Sequence, residues 1–293
     1  MLGDIAARAR IWLAILKVGV AERLTYRADF ALKTFFQFLP IVTQIFLWGA
    51  IFGIATGEAV DGVATGKADG EPDEARRIEG YRYGDMVAYY LLTMLARAFS
   101  SMPGLAASIA YNVREGEIKR FLVQPIDLLG TLFWYRVAHK LVYYVVASVA
   151  LGSAFWLCRG YFDGWPSPTV LAAFVASLLM GFLMGFLIES LLGLVSFWFL
   201  EVSSLLFVYM MLNYFLSGHM IPLDFFPEPY ASWMQAMPLK YLAYVPPAIF
   251  LGRYDESELS GLLLTEAAWI VALLIANRVM LRRGLRRYGA FGG

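Results

Sequence analysis

The 293 residues are 60% hydrophobic and 16% charged, with a mean hydropathy of +0.62. Soluble domains carry roughly 25% charged residues, so this composition excludes an ordinary water-soluble enzyme and points to an integral membrane protein. The net charge of +1 makes no global electrostatic case for nucleic acid, and the single cysteine, Cys158, excludes an internal disulfide or a cysteine-rich metal site.

Taken in order, the chain reads as an all-α polytopic membrane protein with six transmembrane helices. Residues 1–28 place Ile5, Trp12, Leu13, Leu16 and Val20 at three- and four-residue steps, with Arg8, Arg10, Lys17 and Arg23 among them. That pattern predicts an amphipathic helix lying in the membrane interface; the alternative is a surface helix packed on the protein's own face. No apolar core followed by a small-residue cleavage site is seen, so a removable signal peptide is not expected. Residues 30–54 predict a first span, interrupted by Gln37, Pro40 and Gln44 and ending in a Gly49/Gly53 pair that either admits a close helix or is simply small. Residues 56–84 turn Gly- and Asp/Glu-rich and predict an external solvated loop; its acids lack the spacing of a calcium loop.

Residues 85–111 predict a second span that Pro103 should kink. Arg97 lies deep in it, either functional or paired within the bundle, and Glu189 is the acid in another span that could partner it. Counting from one membrane face puts the two at different depths. Residues 112–127, NVREGEIKRFLVQPID, are a short charged amphipathic segment between two apolar runs. Residues 128–158 predict a third span, with Arg136, His139 and Lys140 on its shoulder. A tight aromatic turn at 160–168 leads to a fourth span at 169–199. In that span Ser177, Gly181, Gly185, Glu189 and Gly193 recur every four residues, a small-residue face suited to a neighbouring helix. Residues 202–218 predict a fifth span containing Tyr209, Asn213 and Tyr214. Residues 220–254 are cut by prolines yet rich in aromatics, which predicts an external segment of short re-entrant helices. A final span at 259–279 is followed by RRGLRRYG. Lys and Arg concentrate on the side of 112–127 and of both termini, which predicts that side to be cytoplasmic.

Catalytic signals are missing from the sequence. There is no GxxxxGK[ST] phosphate loop, no GxSxG elbow and no HExxH pair, so no catalytic residue, no metal ligand and no cofactor is expected in this chain. His139 and His219 are predicted on opposite sides of the membrane, with His219 a polar boundary residue. The 112–127 segment is the exception. Arg114, Glu115, Glu117, Lys119 and Arg120 alternate in sign, while Ile118, Phe121, Leu122 and Val123 supply an apolar face that could seat in a cleft of a partner. Pro125 stops the segment and Asp127 can cap the next helix. The bland reading is a solvated connector.

The block REGEIKRFLVQPID resembles the cytoplasmic coupling region of bacterial ATP-binding cassette (ABC) exporter permeases of the type-2 family. The six-span order with its N-terminal helix is similar to that family, as is SGHMIPLDFFPEPY before the last span. The resemblance implies one transmembrane permease domain over residues 1–293, which pairs with a second permease, either a copy of itself or a related six-span chain. It implies a separate nucleotide-binding subunit, holding ATP and Mg, docked on Arg114, Glu115, Gly116, Glu117, Ile118, Lys119, Arg120, Phe121, Leu122 and Gln124. It further implies a bacterial inner-membrane location with both termini cytoplasmic, and export of an amphipathic or hydrophobic cargo. The family's path implies Gln37, Gln44, Arg97, Tyr209, Asn213 and Tyr214 as lining residues, although Asn213 also suits helix–helix bonding. An ion-gradient-driven transporter or channel is the alternative; it needs titratable groups at mid-membrane, for which Arg97 and Glu189 are the candidates. A purely structural scaffold is a third.

Overall fold

The computed structural model describes residues 11–21, 39–53, 77–119, 121, 127–162, 164–199 and 201–288. They form α1 (Ile11–Ala21), α2 (Leu39–Ile51), α3 (Tyr83–Ser100), α4 (Leu105–Arg114) and α5 (Leu128–Leu157). These are followed by α6 (Pro168–Leu194), α7 (Ser203–Leu216), α8 (Tyr230–Ala236), α9 (Val245–Phe250) and α10 (Leu259–Arg287). No strand occurs among the described residues. The fold is all-helical, as a bilayer demands of a chain that must satisfy its backbone internally.

Among the described residues three helices, α5, α6 and α10, are long and apolar enough to cross a membrane, and α1, α2 and α7 are shorter apolar helices. The span expected over residues 85–111 is the pair α3–α4, and it is broken. Pro103 has no N–H to give, Gly104 takes a left-handed φ of +73°, and the helix restarts at Leu105. At its other end α10 does not stop near residue 279. It runs on to Arg287, because nothing in the arginine-rich stretch breaks a helix once it leaves the apolar layer.

Helix α6 is the centre of the bundle, with buried residues on all sides. Asp127 and Ser167 cap α5 and α6: Asp127 accepts from the Gly130 amide at 2.9 Å and Ser167 from the Val170 amide at 3.3 Å. The four-residue stripe on α6 works as its spacing predicts. A Cβ on Gly185 would lie 1.9 Å from the Ser100 carbonyl oxygen, and one on Gly193 would lie 2.8 Å from Ile109 Cβ and 2.9 Å from the Ala106 carbonyl. The two glycines therefore hold α6 against both halves of the broken crossing. A Cβ on Gly181 would lie 3.1 Å from the Tyr241 carbonyl oxygen, and Ser177 donates to Glu266 of α10 at 2.9 Å.

Residues 220–254 fold into short helical pieces, 3₁₀ turns at Leu223–Phe225 and Pro238–Leu242 together with α8 and α9. Tyr241, Leu242, Ala243, Val245, Ala248 and Ile249 are buried there. Asp224 ties this region together by accepting from the hydroxyls of Tyr81 and Tyr244, each at 2.6 Å, while the Arg253 guanidinium sits 3.5 Å over the Tyr81 ring. The described part of the N-terminal helix lies against α5, a contact that suits either placement. Trp12 stacks on Trp134 of α5, and Gly19 approaches Ala138 closely enough that a Cβ would sit 3.0 Å away.

Candidate functional site

The break in the α3–α4 crossing exposes helix ends inside the bundle, and charged side chains answer them. A helix end leaves its last carbonyls without partners, and the macrodipole makes that end negative. Lys140 of α5 donates to the carbonyls of Ala98 and Ser101, the second at 2.7 Å, and Arg136 donates to the Pro103 carbonyl at 2.9 Å. Ser100 donates to the Leu242 carbonyl at 2.7 Å. At the positive end, where α4 restarts, Glu189 faces the amide of Ala106. Lys140 is thus no shoulder residue. It is 12 positions into α5, about 18 Å along it at 1.5 Å per residue, and buried. Nor are Arg97 and Glu189 the sole intramembrane charges. Glu266, fully buried between α6 and α10, and Lys140 join them. A lone acid in the run LLLTEAAWIV was the available signal for Glu266.

Arg97, one turn before the break, lines a cavity of about 290 Å³ with Pro40, Ile41, Gln44, Tyr90, Tyr214 and His219. Three residues expected to lie on a path, Gln44, Arg97 and Tyr214, meet there, although α2, α3 and α7 are far apart in sequence. Tyr209 lies within electrostatic reach of Arg97, as does Glu189, despite the different depths that residue counting gives them. Asn213 is the one buried residue of α7 and does not line the cavity. Gln37 lies outside the described residues. His219, expected at the boundary, is instead a wall of the cavity, its ring edge-on to Tyr214 with centroids 4.9 Å apart. Its signal was weak, since a histidine three residues past an apolar run suits a surface equally well.

At the end of the bundle where α4 finishes, the chain reverses at Gly116, which has a φ of +75° and whose Cβ position faces the Tyr288 hydroxyl at 3.5 Å. Ile118 then returns inward, its amide bonded to the Asn112 carbonyl at 3.2 Å and its side chain 1% exposed. It packs with Val113, Leu128, Phe197 and Leu281, and Phe121 joins the same cluster from its edge. The apolar face expected to seat in a partner's cleft is therefore spent, for Ile118 and Phe121, on the protein's own core. Burial there removes apolar area from water without a partner. Arg114, Glu115, Glu117 and Lys119 stay exposed, with Arg114 and Glu115 paired at 3.1 Å. Arg120, Leu122 and Gln124 lie outside the described residues. Asp127 closes the segment, bonded at 3.1 Å to Arg278 of α10.

Among the described residues no group of histidine, cysteine or carboxylate side chains could hold a metal ion. The family model described as ABC-2 family transporter protein matches residues 73–292. That range takes in α3 to α10, and with them the broken crossing, the 112–127 segment and the helical pieces of 220–254. No curated protein matches the chain.

Proposed function

The chain belongs to the ABC-2 transporter family, and from that premise we propose that it is the permease subunit of an ABC exporter. It moves an amphipathic or hydrophobic cargo outward on ATP hydrolysed, with Mg, by a separate nucleotide-binding subunit. A second permease, a copy or a related six-span chain, completes the membrane part. The 112–127 end and both termini face the cytoplasm across the bacterial inner membrane, with the 220–254 end outside; the arginines of α10, Arg282, Arg283, Arg286 and Arg287, support that orientation.

The observation that carries the reading is the construction of residues 112–121. Its charges, Arg114, Glu115, Glu117 and Lys119, face out, while Ile118 and Phe121 are keyed into the bundle beside α4, α5 and α10. A partner that grips the charges moves a lever already bolted to the lower half of the broken crossing. Charge then sets register between the two proteins, and the apolar side transmits force. Glu201 lies near Arg114 on the same end and extends the charged surface.

Glu115→Lys combined with Glu117→Lys is expected to lower coupled ATPase activity several-fold while insertion and thermal stability stay at parental values. Both carboxylates are exposed, so reversing them costs the fold little. A double variant that assembles with its ATP-binding subunit and transports at the parental rate would remove the docking role.

A further inference from the structure

Most charges inside the bundle have a structural duty. Lys140 and Arg136 hold the carbonyls at the end of α3, Glu189 faces the first turn of α4, and Glu266 takes the Ser177 hydroxyl. Arg97 has none. Among the described residues its guanidinium donates no hydrogen bond and forms no ion pair, and the groups acting on it from other helices include Tyr209 of α7, Glu189 of α6 and Lys140 of α5. It faces the cavity, where, among the described residues, Gln44 Oε1 and His219 Nδ1 are buried without partners. A guanidinium stays charged in a protein and carries five donors in a fixed fork. Half-buried as it is, the guanidinium gains from an acceptor that enters the cavity.

We propose that this cavity receives the acidic head of an amphiphile, a carboxylate or phosphate oxyanion on an apolar body, with Arg97 as its bidentate partner. The inference rests on the export reading and names the chemical class of the cargo. The guanidinium forks onto two oxygens of the head. Among the residues lining the cavity Arg97 is the one full charge, and apolar Ile41 and Met94 line it beside polar Gln44, Thr93 and His219, so a cationic head meets repulsion and a neutral one leaves the charge of the fork unanswered. About 290 Å³ is near the lower end of small-molecule sites, enough for a head and a short stem. Tyr214, which is 39% exposed while lining the cavity, marks the side on which the longer apolar body leaves it.

The test is binding to the full-length chain in zwitterionic nanodiscs, with dodecyl phosphate as probe and dodecanol and dodecyltrimethylammonium as neutral and cationic controls. Dodecyl phosphate is expected to bind best. Arg97→Gln should weaken it about 10- to 100-fold, the scale of a lost charge-assisted bidentate contact, and leave dodecanol unchanged. Arg97→Lys, which keeps charge without the fork, should fall between. Thermal midpoints of both variants at or above the parent separate lost binding from lost folding. Repeating the titration with phosphatidylglycerol in the disc distinguishes the sources. Competition identifies a bilayer headgroup as the ligand, and no competition identifies a free amphiphile; both support the site. Binding that ignores head charge, or survives Arg97→Gln, overturns the assignment. ATP-driven transport of a neutral cargo with the ATP-binding subunit present would overturn it and leave the export reading standing. Dodecyl phosphate binding in a chain that never couples to ATP would do the reverse.

Discussion

Gly185→Ala probes the tightest glycine contact among the described residues. The added Cβ would fall 1.9 Å from the Ser100 carbonyl oxygen, so relief needs about 1.5–2 Å of separation between α6 and the end of α3 to reach ordinary contact. That end has little freedom. The Ser100 hydroxyl is bonded to Leu242, and the neighbouring Ser101 carbonyl accepts from Lys140. Overpacking against such a backbone costs about 1–3 kcal/mol, and losing the flanking contacts adds to it, against a helix-propensity gain of about 1 kcal/mol. Gly152→Ala on α5 supplies the comparison. Nothing lies within 4 Å of its Cβ position, so only the propensity gain remains. The gap between the two variants should be about 3 kcal/mol, more than a hundredfold in the unfolding equilibrium. Unfolding in mixed micelles, followed by tryptophan fluorescence, measures it. If Gly185→Ala unfolds at the same denaturant fraction as Gly152→Ala, α6 does not clamp the broken crossing.

Asp127→Ala removes both the cap on Gly130 and the contact with Arg278, whereas Asp127→Asn keeps a capping oxygen. The alanine should lose about 1 kcal/mol and the asparagine about 0.5 kcal/mol or less, since an exposed ion pair contributes little; equal losses would show that the cap is not what matters. At alkaline pH the cluster around Asp224 should weaken the fold. Burial, and then the Asp224 carboxylate, push the Tyr254 phenol up to about 12, while the unfolded value is about 10. Between those values the unfolded chain releases a proton that the folded chain keeps. Stability therefore falls as pH rises from 10 to 12, by up to about 2–3 kcal/mol for this one group. Denaturation midpoints at pH 9, 10 and 11, with Tyr254→Phe showing the shallower slope, check the sign. A midpoint that stays level to pH 11 would contradict it.

Composition and hydrophobic period settle the class of this protein, because a bilayer accepts so few solutions that long apolar runs can be little else than crossing helices. The cap at Asp127, the interruption at Pro103 and the small-residue stripe on α6 were legible for the same reason: each depends on residues within one or two turns of each other. The roles of the buried charges were not. Lys140 and Glu189 read as a shoulder residue and a mismatched partner until the gap between α3 and α4 is seen to offer bare carbonyls and amides at their depth. Ile118 read as a knob for a partner until Gly116 turned it back onto Leu128 and Leu281. Arg97, Gln44 and His219 share one cavity because three helices, distant along the chain, converge there. Such meetings are matters of long-range packing, in which the energy of a charge depends on whichever acceptor the fold brings beside it, and no spacing along a single helix encodes that.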